Sequence, residues 1–339
     1  MSNIARISVP AFVAATAASN GHAVLLLLGD GSLTNVDLSS GARSSVGHVT
    51  MPKLDLGAEP HYKFAPPSIA LQSSASGRFV AASADFAASG ANVVDLISGR
   101  QTIALECPTY LPTTVPFSVC FITQAGRELV VYRSEWNRLD ARDAETGELL
   151  TSRESPTYEK GRRSAHYLDY FHGRLRPSPN GDWILDDGWV WSPLGVPYLI
   201  GAKRWLSEDI WESEDAPSRR ELPLREDWNF NDCWIDDRRL AFRSVRELGE
   251  DDEFKVFDGS RIFNVEEMDI APVAIDGARG RLISDGARLF TVADGATTAW
   301  STDSGEKLFE IDEYEPDFAV RGAGVLVGLS PGELLVCDV

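Results

Sequence analysis

One sequence pattern recurs along the chain: a tight turn, a short apolar run, a second tight turn and a further apolar run. The first turn is built from small and polar residues and ends in glycine, as in Ser73-Ala-Ser-Gly77, Thr123-Gln-Ala-Gly126 and Ser178-Pro-Asn-Gly181. The second turn is written Asp37-Leu-Ser-Ser-Gly41, Asp95-Leu-Ile-Ser-Gly99, Asp143-Ala-Glu-Thr-Gly147 and Ser301-Thr-Asp-Ser-Gly305. Aspartate, serine and threonine satisfy backbone donors across such a reversal, and glycine adopts the left-handed conformation without steric cost.

The spacing of these turns is regular. Within a repeat the two turns lie 20 to 22 residues apart, as between Gly21 and Gly41 or between Gly77 and Gly99. Degenerate copies of the second turn are predicted to end at Gly195 and Gly259. The runs between turns, such as Ala23–Leu28, are short and apolar, which is typical of strands. Only the segment from Trp205 to Trp211 favours a short helix, because two apolar residues in it lie four apart.

The repeated phrase resembles the WD-repeat and YVTN-type propellers, whose blades carry a polar-glycine turn after the inner strand and Asp-x-x-Ser/Thr-Gly before the outer one. The Trp-Asp dipeptide of WD repeats is missing from every copy, and Gly47-His48 is the one Gly-His pair placed as in that family. The copies recur about every 50 residues, slightly more than the usual propeller blade. The resemblance implies an all-β fold, a seven-bladed β-propeller of four-stranded blades.

Closure of the ring gives a second indication of this fold. The last repeat offers three strands, near Phe318–Arg321, Val325–Leu329 and Leu334–Cys337, whereas Ile4–Val9 is a strand without a repeat of its own. We therefore expect the N-terminal strand to pair in the last blade, which removes an exposed edge. The chain is interpreted as a single domain, residues 1–339, with blades at about 11–49, 67–106, 117–154, 174–201, 228–264, 271–311, and 316–339 plus 4–9.

Composition excludes some partners. The net charge is −19, which argues against a nucleic-acid partner because phosphate binding needs concentrated Lys and Arg. No stretch approaches the roughly 20 apolar residues of a membrane-spanning helix, so no membrane is expected. The four cysteines are scattered, which favours free thiols and a cytoplasmic location over a disulfide framework or a zinc ribbon.

Four long connections are candidates for function, at about 50–66, 107–116, 155–173 and 202–227. Ten of the 18 prolines fall in or beside them, which favours loops over strands. In such propellers the connections between successive blades and the links between middle strands emerge on one face. A rigid scaffold that carries decorated loops is a common way to build a binding site.

The connection at 202–227 carries two tryptophans and two arginines, the residue types that anchor many protein interfaces. We predict partner contacts at Trp205, Trp211, Arg219 and Arg220. The alternative is that both tryptophans fold onto the rim of the propeller while the charged residues face water.

Two further segments supply candidates. The acidic run Glu247–Glu253, in the middle-strand link of the fifth blade, would attract a basic partner through Glu250, Asp251 and Asp252; a solvated loop is the alternative. Tyr170 and His172 lie in an aromatic segment over the fourth blade, where packing is the alternative. Trp183, Trp189 and Trp191 are predicted to pack between blades.

No catalytic signature is present: the sequence has no G-x-S-x-G, no H-E-x-x-H and no phosphate loop. Two histidines six residues apart make a poor metal pair without a third ligand. We therefore expect no catalytic, cofactor-binding or metal-binding residues. The predicted function is a non-catalytic interaction module or scaffold that binds a protein partner with a basic surface through the decorated face. Alternatives are a propeller hydrolase or lactonase-like metalloenzyme, and an acidic immunity or inhibitor protein against a basic partner.

Overall fold

The computed structural model describes residues 4–19, 21–54, 65–191, 193–248 and 253–339. The chain divides into two compact units. The first unit comprises Met1–His48 with Phe230–Val339, and the second comprises Val49–Asn229. The bounds of their elements follow in chain order.

The strands of the N-terminal part of the first unit are β1 (Ile4–Ser8), β2 (Phe12–Ala17), β3 (Ala23–Leu28), β4 (Ser32–Asp37) and β5 (Arg43–His48). The second unit contains β6 (Ser68–Ser73), β7 (Phe79–Asp85), β8 (Ala91–Asp95), β9 (Arg100–Leu105), β10 (Val119–Gln124), β11 (Arg127–Glu135), β12 (Arg138–Asp143), β13 (Tyr158–Glu159), β14 (Arg162–Arg163), β15 (Phe171–Pro177), β16 (Trp183–Val190), β17 (Leu194–Gly195), β18 (Tyr198–Gly201), helix α1 (Ala202–Ser207) and β19 (Arg220–Glu221). The rest of the first unit contains β20 (Cys233–Trp234), β21 (Arg239–Leu248), β22 (Phe254–Asn264), β23 (Val273–Asp276), β24 (Arg281–Ser284), β25 (Arg288–Ala293), β26 (Ala296–Ser301), β27 (Lys307–Asp312), β28 (Phe318–Val320), β29 (Val325–Ser330) and β30 (Glu333–Asp338).

The first unit holds four antiparallel sheets of four strands each, in the orders β2-β3-β4-β5, β20-β21-β22-β23, β24-β25-β26-β27 and β1-β30-β29-β28. In the last of them, β1 pairs with β30 from Ile4 opposite Cys337 to Ser8 opposite Glu333. The prediction that the N-terminal strand completes the final blade is confirmed.

The second unit holds three larger sheets, in the orders β6-β7-β8-β9, β10-β11-β12 and β15-β16-β18-β19, with β17 also paired to β16. The sheet of β10 to β12 has an isolated bridge between Arg142 and Leu149 where a fourth strand begins to form. Strands β13 and β14 form a separate small hairpin. The two units together therefore carry the seven sheets that the repeats predict.

The core lies between neighbouring sheets. One cluster of the second unit joins Phe79 and Val93 of one sheet to Phe121 and Val130 of the next. Middle strands are buried on both faces because each face meets another sheet; β7, for example, is buried along its whole length. This explains why these runs lack the alternation of a half-exposed strand.

The aspartate–glycine turns form as predicted. In the first of them, Asp37 Oδ1 accepts hydrogen bonds from the backbone N–H of Ser39 (3.1 Å) and of Ser40 (2.8 Å), and Gly41 has a φ of 69°. Hydrogen bonds from the Ser39 and Ser40 side chains and backbone hold the pKa of Asp37 well below its usual range. The carboxylate therefore stays ionised and keeps the turn closed.

The two degenerate copies of the second turn differ. Gly259 lies inside β22, whereas a turn at Trp191 and Pro193 precedes β17, whose last residue is Gly195. At both positions an added Cβ would lie too close to a backbone carbonyl oxygen. A Cβ on Gly259 would lie 2.3 Å from that of Ile275, and a Cβ on Gly195 would lie 2.1 Å from that of Asp227. These glycines therefore allow close approach of two backbones. The prediction of a turn was wrong at Gly259, whereas the turn predicted to end at Gly195 lies just before β17.

A short helix is present in the fourth connection, but α1 spans Ala202–Ser207 and ends before Ile210, so the prediction of a helix over Trp205 to Trp211 was wrong in its bounds. Within the described ranges, no helix is both long and apolar enough to cross a membrane. All four cysteines are free thiols.

Candidate interaction site

The fourth connection folds back onto the second unit. Trp205, on α1, is 2 % exposed and belongs to a core cluster, and its indole N–H donates to the carbonyl of Ile210 at 3.1 Å. Trp205 is therefore a core residue and not an exposed anchor. The apolar face of the short helix explains this placement, since it packs on the sheet beneath it.

Trp211 is partly exposed, but its ring already contacts two side chains of its own unit. The His166 ring stacks on it at 4.2 Å with an interplanar angle of 7°, and the Arg153 guanidinium lies 5.4 Å from the ring centroid. His166 is itself held by Asp215, with Nδ1 at 2.8 Å from the carboxylate. Trp211 therefore joins the third connection to the fourth.

The two arginines of this connection also lie over aromatic rings. The Arg219 guanidinium is 3.4 Å from the Tyr198 ring centroid, and that of Arg220 is 4.7 Å from the Trp183 ring centroid. The acidic residues that the sequence placed in water are in part buried: Glu214 pairs with Arg153, and Glu212 lies 3.5 Å from Arg204. Most of this charge is thus neutralised inside the unit.

Tyr170 and His172 are each 1 % exposed. His172 Nδ1 lies 2.6 Å from Asp186 Oδ2, and the Tyr170 hydroxyl accepts a hydrogen bond from the Gly188 N–H at 2.8 Å. Burial, reinforced by Asp186, raises the pKa of Tyr170 well above its usual value. Both residues are therefore packing residues, the alternative left open by the sequence, because a docked partner cannot reach them.

The acidic candidates Glu250, Asp251 and Asp252 lie outside the described residues. Strand β21 ends at Leu248 and β22 begins at Phe254. The role of the three acidic residues in attracting a basic partner stays a prediction.

The structure assembles a different set of aromatic side chains at the surface of the second unit. We call this set the aromatic surface; its members are Tyr110, Trp136, Tyr158, Tyr167 and Trp191. Tyr110, Trp191 and Tyr158 are 46 %, 48 % and 57 % exposed. The prediction that Trp191 packs between blades was therefore wrong, whereas Trp189, two residues earlier, is fully buried.

The aromatic surface rests on a stacked base. Phe171 stacks on Trp189 at 4.3 Å and 11°, and Trp189 stacks on Trp228 at 4.6 Å and 8°. Tyr110 stacks on Phe171 at 5.6 Å. The Trp228 indole N–H donates to the carbonyl of Thr114 at 3.1 Å. The exposed rings are thus positioned by side chains that are themselves fixed in the core.

The rings enclose a cleft of about 520 Å³, which Arg163 and Asp169 also line. Tyr110 meets Trp136 at 72° and Trp191 at 60°, so the walls form an angled cleft and not a flat platform. Arg163 lies 3.6 Å from Asp169 at its rim. This volume falls in the range of ordinary ligand pockets.

The members of the aromatic surface come from the two kinds of connection that the fold predicts on one face. Tyr110 belongs to the second connection, Tyr158 and Tyr167 belong to the third, and Trp136 and Trp191 lie in links between middle strands. The sequence marked these connections but not these residues. Tyrosines in proline-containing loops and a tryptophan just beyond a strand end were the available signals.

The metalloenzyme alternative needs a set of ligands. Across the parts of the chain that the structure describes, no group of three or more His, Cys, Asp or Glu side chains is arranged to hold a metal ion. No candidate ligand set therefore supports that alternative there.

Comparison with solved structures bears on the fold. The chain is similar to the Myceliophteria thermophila Cps50 (Swd1) β-propeller domain, with a TM-score of 0.58 and 12 % identity over 100 % of both chains. It is also similar to a chain of the mitotic checkpoint complex, with a TM-score of 0.55 and 11 % identity over 99 % of this chain and 91 % of that one. No family model and no curated protein matches the sequence. The likeness, together with the seven sheets, confirms a seven-bladed β-propeller as the fold.

Proposed function

We propose that this propeller is a non-catalytic interaction module and that it binds a partner protein through the aromatic surface. The observation that carries the proposal is the clustering of three large aromatic side chains, Tyr110, Tyr158 and Trp191, each about half exposed. Aromatic side chains of this size dominate interface energetics when a partner buries them.

The rigid base strengthens the proposal. Ordering flexible side chains at an interface costs free energy, so anchors that are already fixed bind better. Phe171 and Trp189 fix the rings of Tyr110 and Trp191 from below. The surface is therefore preorganised for a partner.

The structural neighbours agree with this proposal at a coarse level. One of them is described as part of a checkpoint complex, and propellers of the WD-repeat type commonly serve as scaffolds in protein assemblies. Fold alone does not determine function, so the argument rests on the aromatic surface. The free cysteines support a reducing compartment such as the cytoplasm for the proposed complex.

Trp211, Arg219 and Arg220 remain proposed secondary contacts. Trp211 stacks on His166, the neighbour of Tyr167 in the chain, so it borders the aromatic surface. Since its ring already contacts His166 and Arg153, we assign it a smaller share of the binding energy than Trp191.

The test is affinity purification from the native source with the wild-type protein and a Trp191→Ala, Tyr158→Ala double variant. We expect recovery of the main partner to fall at least tenfold, because truncating interface anchors costs about 2 kcal/mol or more. The matched control is Ile97→Ala, since Ile97 is 79 % exposed and lies in a turn outside this surface.

Thermal unfolding of each variant separates binding from folding. The account requires a melting temperature close to that of the wild type together with lost recovery. Equal recovery from the wild type and the double variant, with Ile97→Ala behaving like both, would remove the aromatic surface as the binding site.

A further inference from the structure

We infer that the aromatic surface takes a proline-rich segment of the partner in the polyproline II conformation, flanked by acidic residues. This inference rests on the proposed function and names the chemistry of the partner. It is carried by three features of the cleft: its shape, its hydrogen-bonding groups and the charge at its rim.

The shape is that of an angled cleft. Trp136 and Trp191 meet the Tyr110 ring at 72° and 60°, and Tyr158 meets Tyr167 at 42° with 5.7 Å between centroids. A polyproline II helix has three residues per turn and a ridged cross-section. Its pyrrolidine rings fit between aromatic walls set at an angle, the mode in which proline-rich segments are commonly recognised.

The cleft presents hydrogen-bond donors: two indole N–H groups and three tyrosine hydroxyls, which can also accept. Within the described part of the chain, the three tyrosine hydroxyls and the two indole N–H groups of the aromatic surface form no hydrogen bond to protein. Burial, followed by the nearby Asp169 carboxylate, raises the pKa of Tyr167. Indole N–H groups can only donate.

A proline-rich segment complements this set of donors. Proline has no backbone N–H, and the carbonyls of a polyproline II helix make no internal hydrogen bonds. Such a segment therefore offers carbonyl acceptors to the cleft. Its prolines bring no N–H groups that would lose their hydrogen bonds to water on binding. An ordinary extended peptide would also bring backbone N–H groups, for which the two indoles offer no acceptor.

Charge at the rim adds a preference for the flanking residues. The hairpin of β13 and β14 carries Lys160, Arg162 and Arg163, all exposed. Arg163 faces Asp169, whereas Lys160 and Arg162 form no ion pair with any described side chain. In a chain of net charge −19, this hairpin is a local cationic site that suits carboxylates beside the proline-rich segment.

The test uses a fluorescein-labelled peptide, Glu-Glu-Pro-Pro-Leu-Pro-Pro-Leu-Pro, and the full-length protein, with fluorescence anisotropy as the readout. We expect saturable binding to the wild type and to Ile97→Ala. Trp191→Ala should weaken it about tenfold or more, and Tyr158→Phe, which keeps the ring but removes a donor, should weaken it several-fold.

Two altered peptides test the chemistry. Replacing the prolines by alanine should abolish binding, and replacing the glutamates by lysine should weaken it. A Lys160→Glu, Arg162→Glu variant should reverse the preference between the two flanks. Equal binding of the proline and alanine peptides would overturn the inference, as would equal binding by the wild type and Trp191→Ala.

The outcome is separable from that of the proposed function. The double variant Trp191→Ala, Tyr158→Ala could lose the native partner while the wild type fails to bind the proline peptide. That result would support the interaction module and contradict the inference of a proline-rich segment. An unchanged native partner together with peptide binding that depends on Trp191 would support the segment and remove the aromatic surface as the site of that partner.

Discussion

The Tyr170 hydroxyl joins two backbone groups of the neighbouring strand: it donates to the Asp186 carbonyl at 3.2 Å and accepts from the Gly188 N–H at 2.8 Å. We predict that Tyr170→Phe destabilises the protein by about 1–3 kcal/mol, because the Gly188 N–H is left buried without an acceptor. Urea unfolding measures this loss.

The matched control for that substitution is Tyr158→Phe, because the side chain of Tyr158 is more than half exposed and water can replace its hydroxyl. Recovery of the native partner should be unchanged in Tyr170→Phe. A variant that unfolds at the wild-type urea concentration but loses its partner would show that Tyr170 takes part in recognition and not only in packing.

Single residues differ in how much of their role the sequence reveals. The role of Asp37 is local, since its turn is closed by residues two and three positions later, and the sequence predicts it. The exposure of Trp191 depends on where the strand before it ends and on rings brought in from other connections. A strand pattern gives Trp189 and Trp191 the same face, so the sequence could not separate them.

Between β15 and β16 the pairing contains a register shift from Phe171 to Arg174, and Gly188 lies opposite it. A Cβ at Gly188 would lie 2.1 Å from the Phe171 carbonyl oxygen and 2.4 Å from the Tyr170 hydroxyl oxygen. We predict that Gly188→Ala prevents stable folding or costs several kcal/mol, because backbone atoms cannot move aside.

The comparison variant is Gly99→Ala, whose Cβ would meet no atom within 4 Å although its φ is +69°. Only the left-handed conformation is penalised there, at about 1–2 kcal/mol. Circular dichroism during thermal unfolding distinguishes the two variants. Equal melting temperatures would contradict the close approach of the two strands at Gly188.

At the scale of elements, the sequence predicts strands that follow a regular turn and fails where a strand runs on through a glycine. Strand β22 spans 11 residues and passes through Gly259 because that residue allows close approach of Ile275. The sequence does not distinguish a glycine in a turn from a glycine inside a strand. Only the backbone of the partner strand distinguishes them. For this reason the second turn of the fifth repeat was predicted at a place where β22 continues.

At the scale of the whole molecule, the number of blades follows from the repeats, because each repeat buries its apolar faces against its neighbours. The binding site does not follow from them. The aromatic surface contains residues up to 81 positions apart, from Tyr110 to Trp191. Each belongs to a connection whose sequence and conformation the repeat pattern does not determine. The charged, tryptophan-rich connection at 202–227 was the more conspicuous feature in sequence, yet it binds chiefly to its own unit.

Site-specific photo-crosslinking tests the central claim most directly. The photoreactive amino acid p-benzoylphenylalanine would replace Tyr158 in the aromatic surface and, in a separate protein, Leu308, which is 50 % exposed in the first unit. Irradiation in extract of the native source should join the partner to the protein labelled at position 158 and leave the one labelled at position 308 uncoupled. Coupling at position 308 without coupling at position 158 would contradict the account.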